Sequence, residues 1–268
     1  KGDSFAAARQ RAVAALLSPS DAALLSDPNN TLGIEYGRAL LRVGAAPALF
    51  TIPRTGAAHD VTPENAGGYS ASAIRHLLAE GRRADALSRM VPAMRAVYEA
   101  EESAGRAPVF AAACERAILA RLRSMTPAEF DALDTGHEGV GQRLYNASRN
   151  AATLDAVLDN AKTKRYAYAR LRRMVLWAYL GLSPAKLPAS VPYLRILAAN
   201  ETGRALLGRM RKTARLPVIT KPAAIRSLFP DAQRLFETES RAADLYALAY
   251  PELTEACGSL WRQNPVMP

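Results

Sequence analysis

The sequence predicts an α/β region over residues 1–80 followed by an all-α region over residues 81–268. Two patterns carry this division. The best buried-strand candidate, Ala48-Leu49-Phe50-Thr51-Ile52 closed by Pro53, lies in the first region among helical stretches, and strand signals almost vanish beyond Gly81. Charge divides at the same place. Residues 1–80 hold seven of the 35 Lys and Arg and seven of the 25 Asp and Glu, so the whole formal charge of +10 belongs to residues 81–268. A partner rich in phosphates accounts for that excess, and so does the Arg-rich usage of a GC-rich genome.

Taken in order, Ser4 to Leu17 is Ala-rich with spaced apolar positions and predicts a helix ending near Ser18-Pro19-Ser20, with a shorter one over Asp21 to Leu25. Pro28-Asn29-Asn30 opens the next helix, Thr31 to Val43. Its residues Leu32, Tyr36, Ala39, Leu40 and Val43 fall at helical spacing, and Gly44 is placed to stop it. Asn29 and Asn30 suit a helix cap, and the N–H groups of a helix start suit a phosphate or another anion. Helix, short strand and then a polar loop carrying Arg54, His59 and Asp60 form an α/β pattern, in which loops beyond strand ends bind ligands. Gly67-Gly68 leads to Tyr69-Ser70-Ala71-Ser72-Ala73-Ile74-Arg75. There Ser70 and Ser72 read either as an ordinary cap or, with Arg75, as a cradle for phosphate.

Beyond Gly81, helices are expected over Arg83 to Met90, Val91 to Glu102, Pro108 to Ser124, Gly139 to Asn150, Thr153 to Asn160, Thr163 to Leu180, Val191 to Leu197, Gly203 to Thr213 and Ala232 to Ala249. Leu216 to Pro222 is the extended interruption. The stretch Lys162 to Arg173 contains six cations and no acid. On a continuous helix, Lys162, Arg165, Arg172 and Arg173 share one arc, and Ala167, Leu171, Met174 and Ala178 the opposite one. Tyr166 then flanks the basic arc, where its ring suits stacking on an unpaired base. A solvated charged face is the alternative. Arg204, Arg209, Arg211, Lys212 and Arg215 form a second basic cluster.

The remaining composition works by exclusion. No uninterrupted apolar run is long enough to span a bilayer, and the first residues carry no secretory signal. Cys114 and Cys257 lie far apart without Cys or His at ligand spacing, which argues against a disulfide scaffold or a zinc site and fits the cytoplasm. There is no Walker loop, no His-Glu-x-x-His and no Gly-x-Ser-x-Gly, and His59, His76 and His137 have no ligand-type spacing.

Several motifs in one order resemble the bacterial tRNA(Met) cytidine acetate ligases. They are Pro28-Asn29-Asn30-x-Leu32-Gly33-Ile34-Glu35-Tyr36, Arg54, His59-Asp60, Ser70-Ala71-Ser72-Ala73-Ile74-Arg75, Glu138-Gly139 with Arg143-Leu144, and Lys162-Thr163-Lys164-Arg165-Tyr166. The resemblance continues through Asn200-Glu201-x-Gly203-Arg204-x-Leu206-Leu207 and Leu216-Pro217-Val218-Ile219-Thr220-Lys221. It implies a C-terminal remainder of a Rossmann-like nucleotidylyltransferase domain (1–80) followed by a mainly helical, basic tRNA-binding domain (81–268). It also implies the activity: ATP and acetate give acetyl-adenylate, and the acetyl group passes to N4 of the wobble cytidine of elongator tRNA(Met). By the same resemblance Asn29 and Arg54 contact ATP, Ser70, Ser72 and Arg75 hold its polyphosphate, and Mg²⁺ accompanies it. The tRNA is assigned to Lys162, Lys164, Arg165, Tyr166, Arg172 and Arg173.

One departure stands out. The family begins with a strand, a loop bearing two paired histidines and a helix, and this chain starts beyond that point. The expectation is therefore a fragment, inactive by itself, that supplies half of the ATP site. A non-catalytic RNA-binding protein and an adenylyltransferase for a small nucleotide are the other readings the residues allow.

Overall fold

A computed structural model of the chain describes residues 5–52, 70–134, 138–253 and 256–267. The chain forms two compact units. The first comprises Lys1–Ala73 together with Lys162–Ala167, and the second Ile74–Ala161 with Tyr168–Pro268.

In the first unit, α1 (Phe5–Ala14) is followed by α2 (Pro19–Ala23), a single 3-10 turn over Leu24–Ser26, and α3 (Pro28–Val43). Arg9 joins α1 to α3: its guanidinium donates to the Thr31 hydroxyl at 3.2 Å and lies 3.5 Å from the Glu35 carboxylate. Gly44 ends α3 in the left-handed region at φ 66°, which frees the Ala45 N–H to return to Leu40 O at 3.0 Å. The strand expected at Ala48 to Ile52 is absent. The chain there has no regular structure, and Phe50 and Ile52 are 92% and 93% exposed. A strand is stable only through the ladder its neighbour supplies, and among the described residues none pairs with this one.

In the second unit, the C-terminal part of α4 (Ala71–Ala79) packs with α5 (Arg83–Ser88) through Ile74, Leu77, Ala86, Leu87 and Met90. Next comes α6 (Pro92–Ser103), and then a bundle of α7 (Glu115–Ser124), α8 (Pro127–Asp131), α9 (Val140–Asn150), α10 (Leu154–Ala161) and α11 (Tyr168–Leu180). Its core is fully buried at Leu122, Phe130, Leu144, Val157 and Leu171. Helix α8 lies outside the helices expected from sequence, although Thr126-Pro127-Ala128-Glu129 carries its start signal. Thr126 Oγ1 accepts from the Glu129 N–H, and the Glu129 carboxylate accepts from the Thr126 N–H at 2.8 Å. The helix expected over Pro108 to Ser124 begins only at Glu115, after a 3-10 turn over Ala111–Cys114.

The rest of this unit is β1 (Leu194–Arg195), α12 (Glu201–Thr213), β2 (Val218–Ile219), a 3-10 segment Pro222–Ser227, α13 (Pro230–Ala247) and α14 (Ser259–Arg262). Val191 to Leu197 is thus extended rather than helical. Its amides bond sideways, Leu194 N–H to Pro217 O at 2.8 Å and Ile196 N–H to Ile219 O at 2.9 Å, which makes β1 and β2 a parallel pair. Tyr193, Ile219, Ile225, Ala232 and Phe236 bury the contact, with Trp261 edge-on to Phe236 at 4.6 Å between ring centroids.

Helices α8 and α9 approach closely at Gly141. A Cβ at Gly141 would stand 2.8 Å from both the Cα and the backbone nitrogen of Asp131, and backbone cannot yield as a side-chain tip can. Gly141→Ala is expected to lower stability by about 1–3 kcal/mol, the usual cost of overpacking. Gly181→Ala adds its methyl to open space but at φ 70°, and serves as the comparison in which only backbone strain acts. Urea midpoints that rank Gly181→Ala as the more damaging would contradict the packing account.

Candidate functional site

The expected nucleotide residues begin at the start of α3. Asp27, not Asn30, is the cap: one carboxylate oxygen accepts from the N–H groups of Asn29 at 2.7 Å and Asn30 at 3.2 Å. Pro28-Asn29-Asn30 is therefore already the first turn of the helix, and Asn29 is exposed upon it. An aspartate competes better than asparagine for this position because its charge also meets the positive helix end. The same carboxylate occupies the donors that an anion would need. Asn29 thus has only its side-chain amide to offer a ligand.

Helix α4 is different. Ser70 caps it by accepting from the Ala73 N–H at 3.2 Å, and no acid stands in its first turn. Ser72 is half-buried and Arg75 exposed, three residues apart on one helix, so their side chains fall on neighbouring positions of the same face. Asn29, Ser70 and Ser72 belong to the same compact unit. Arg54, His59 and Asp60 lie outside the described residues.

The continuous basic helix expected from Thr163 does not form. The chain leaves α10 at Ala161 and re-enters a helix at Tyr168. Arg143 closes α10 from outside, donating to Ala161 O at 2.8 Å and Asn160 O at 3.0 Å. The Thr163 hydroxyl accepts from the N–H groups of Arg165 at 3.2 Å and Tyr166 at 3.1 Å, which fixes a turn where helix was expected. The shared arc of Lys162, Arg165, Arg172 and Arg173 is consequently broken. Lys162 is half-buried and donates to Thr163 O, while Lys164 and Arg165 are exposed. These three belong to the first unit, and Arg172 and Arg173, exposed on α11, to the second. Tyr166 is only 7% exposed, so its ring is packed in the protein and presents no platform for a base.

Many of the bundle arginines are used internally. Arg170 donates to Asp134 at 2.6 Å and Glu138 at 2.9 Å, and these hydrogen bonds, Asp134 first, push its pKa further above the ordinary guanidinium value. Arg121 donates to Ala178 O, Arg123 to Ala151 O, and Arg149 to Met125 O at 2.7 Å and to Arg123 O. Cations on carbonyls left open at helix ends and turns are structural groups. Glu138-Gly139 with Arg143-Leu144 belongs with them. Glu138 holds Arg170, Gly139 starts α9 at φ 78°, Arg143 caps α10 and Leu144 is fully buried.

The second basic cluster divides in a way that residue counting missed. Arg204 and Arg211 line a cavity with Lys221, whereas Arg209 and Arg215 do not share it. The spacing of Arg204, Leu207, Gly208 and Arg211, i, i+3, i+4 and i+7, was the available signal.

An acid-free helix start beside seryl groups in one unit and a helical unit with exposed cations in the other are the features to set against known proteins. The chain belongs to the HIGH Nucleotidyl Transferase family, whose model matches residues 1–259. Within that family it is similar to the tRNA(Met) cytidine acetate ligase of Thermotoga petrophila, 29% identical over 96% of this chain and 66% of the relative. It is likewise similar to that of Acetivibrio thermocellus, 31% identical over 91% of this chain and 61% of the relative. The crystal structure of Thermotoga maritima TmcAL in its apo form superposes with a TM-score of 0.88 at 27% identity, covering 99% of this chain and 67% of that one. The form bound with alpha-thio ATP gives 0.86 at 26%, covering 98% and 66%. The chain spans about two thirds of the length of these relatives. The fold class expected from sequence, part of a nucleotidylyltransferase-like domain plus a helical part, holds.

Arg170→Ala is expected to destabilise the chain by about 2–3 kcal/mol, since it strands two partly buried carboxylates. Arg172→Ala and Arg173→Ala are expected to stay within about 0.5 kcal/mol of the native chain, as surface changes do. Equal urea midpoints for all three variants would remove the distinction between structural and presented cations.

Proposed function

We propose that this chain serves ATP-dependent acetylation of the wobble cytidine of elongator tRNA(Met). A carboxylate oxygen of acetate attacks the α-phosphorus of ATP, the bond to the bridging oxygen breaks, and pyrophosphate leaves with acetyl-adenylate formed. The cytidine N4 then attacks the acetyl carbon, AMP departs with the acyl-bond electrons, and N4 gives up a proton. The carrying observation is similarity to the ligases along nearly the whole chain, one structural neighbour of which binds an ATP analogue. Neither step requires a protein nucleophile. Both are promoted by holding the reactants in line and by donors aimed at the developing charge.

The residues divide by chemistry. Ser70, Ser72 and Arg75, at an acid-free helix start, suit the polyphosphate. Asn29 sits beside the Asp27 carboxylate, which repels phosphate, so its amide suits the adenine or ribose. Arg54 supplies a further cation to ATP. Mg²⁺ accompanying ATP would be carried by the phosphate oxygens of the nucleotide and would neutralise part of their charge. The exposed Lys164, Arg165, Arg172 and Arg173 suit the tRNA backbone. No helix among the described residues is long and apolar enough to cross a membrane. The cytoplasm, where tRNA, ATP and acetate meet, is the proposed location.

Formation of N4-acetylcytidine, measured by mass spectrometry of nucleosides from tRNA(Met) incubated with enzyme, ATP and acetate, tests the proposal. Asn29→Ala leaves the Asp27 cap in place and, like Arg54→Ala, is expected to reduce turnover about tenfold or more, as loss of a polar contact to a charged ligand does. Unchanged turnover in both variants would remove the site assignment. Arg172→Glu with Arg173→Glu should weaken tRNA binding and flatten its dependence on salt, with a log–log slope smaller by roughly 2. An unaltered slope would take α11 out of the interface.

A further inference from the structure

Between α12, the residues that follow β2 and the segment 264–267 lies a cavity of about 400 Å³, within the size range of sites for small organic ligands. Arg204, Gly208 and Arg211 line it from one face of α12, and Lys221 lines it from the segment after β2. No carboxylate is among its lining residues, and none of these three cations has an ion pair among the described residues. This is unlike Arg121, Arg123, Arg143, Arg149 and Arg170 of the bundle, which are held by acids and carbonyls. The rest of the lining is largely apolar, with Leu207 and Met267 prominent.

Gly208 is the second observation. A glycine inside a helix costs about 1 kcal/mol relative to alanine. A Cβ added there would meet nothing within 4 Å, so packing within the chain does not require the glycine. What it provides is bare helix backbone facing into a cationic cavity, the condition for close approach of a flat ligand.

We infer that this cavity receives an unpaired nucleotide of the RNA bound by the chain. The base enters against the Gly208 backbone and the Leu207 and Met267 side chains, with guanidinium planes of Arg204 and Arg211 available for stacking. Its phosphate meets the cations at the rim. RNA rather than a free mononucleotide is the occupant because the charge continues past the cavity. Arg209 and Lys212 on the adjoining face of α12, and Arg215 beyond it, are exposed and suit the phosphates that flank the inserted nucleotide. The inference rests on the proposed reading of the chain as a tRNA-acting protein and adds to it a site remote in sequence from the residues assigned to ATP.

The test uses fluorescence anisotropy of a labelled tRNA(Met) transcript with the full chain. Gly208→Leu starts from a Cβ that meets nothing within 4 Å, occupies part of the cavity, and should weaken binding about tenfold while leaving thermal stability equal or higher. Gly208→Ala improves the helix and adds one methyl, and should bind within about twofold of the native chain. Arg211→Gln should weaken binding and lower the salt slope by about 1. Native affinity in a stably folded Gly208→Leu overturns the inference while leaving the proposed function standing. Absence of any salt-sensitive tRNA binding by the native chain overturns both. Displacement of the tRNA from the native chain, but not from Gly208→Leu, by millimolar cytidine or adenosine monophosphate assigns the cavity to free nucleotide and overturns RNA as its occupant.

Discussion

The organisation of this chain depends on the interruption between α10 and α11. Arg143, reaching from α9, satisfies the last carbonyls of α10, and the Thr163 hydroxyl turns the chain immediately afterwards. Without the Thr163 turn the run from Thr163 to Leu180 has the composition to form one helix. With them, six residues leave the bundle and belong to the first unit before α11 resumes. Lys164 and Arg165 thus belong to the unit of Asn29 and Ser70, and Arg172 and Arg173 to the other.

The same economy recurs in the second unit. Its positive charge serves two unlike purposes that composition cannot separate. Arg121, Arg123, Arg143, Arg149 and Arg170 each meet a carbonyl or carboxylate of the fold itself, whereas Arg172, Arg173 and the cations of α12 face outward. Net charge therefore overstates the basic surface. Pairing, rather than count, identifies the part of it that is open to a partner.

What was legible in the sequence was local. Apolar spacing and stop signals located most of the long helices, including the end of α3 at Gly44 and the extended run at Val218–Ile219, because those features are written within a few residues. What failed needed a partner. Val191 to Leu197 has helical spacing, yet its amides bond to residues more than twenty positions ahead. Ala48 to Ile52 has strand composition but no neighbour among the described residues. Asp27 displaced Asn30 as the cap because the helix starts earlier than its apolar pattern does. The order of the candidate ATP residues was readable as a resemblance. The open space above Gly208 was not, since a glycine's letter does not say whether its missing side chain is needed for packing, for backbone geometry or for neither.

The detour of Lys162–Ala167 also bears on how the chain acquires its structure. The first unit draws on residues separated by roughly ninety positions along the chain. It cannot be completed on the ribosome when residue 73 emerges, and must wait until α4 to α10 have been made. Contacts of such sequence separation form late. The first unit, although most of its described residues precede the bundle in this chain, is on this topology among the last parts to close.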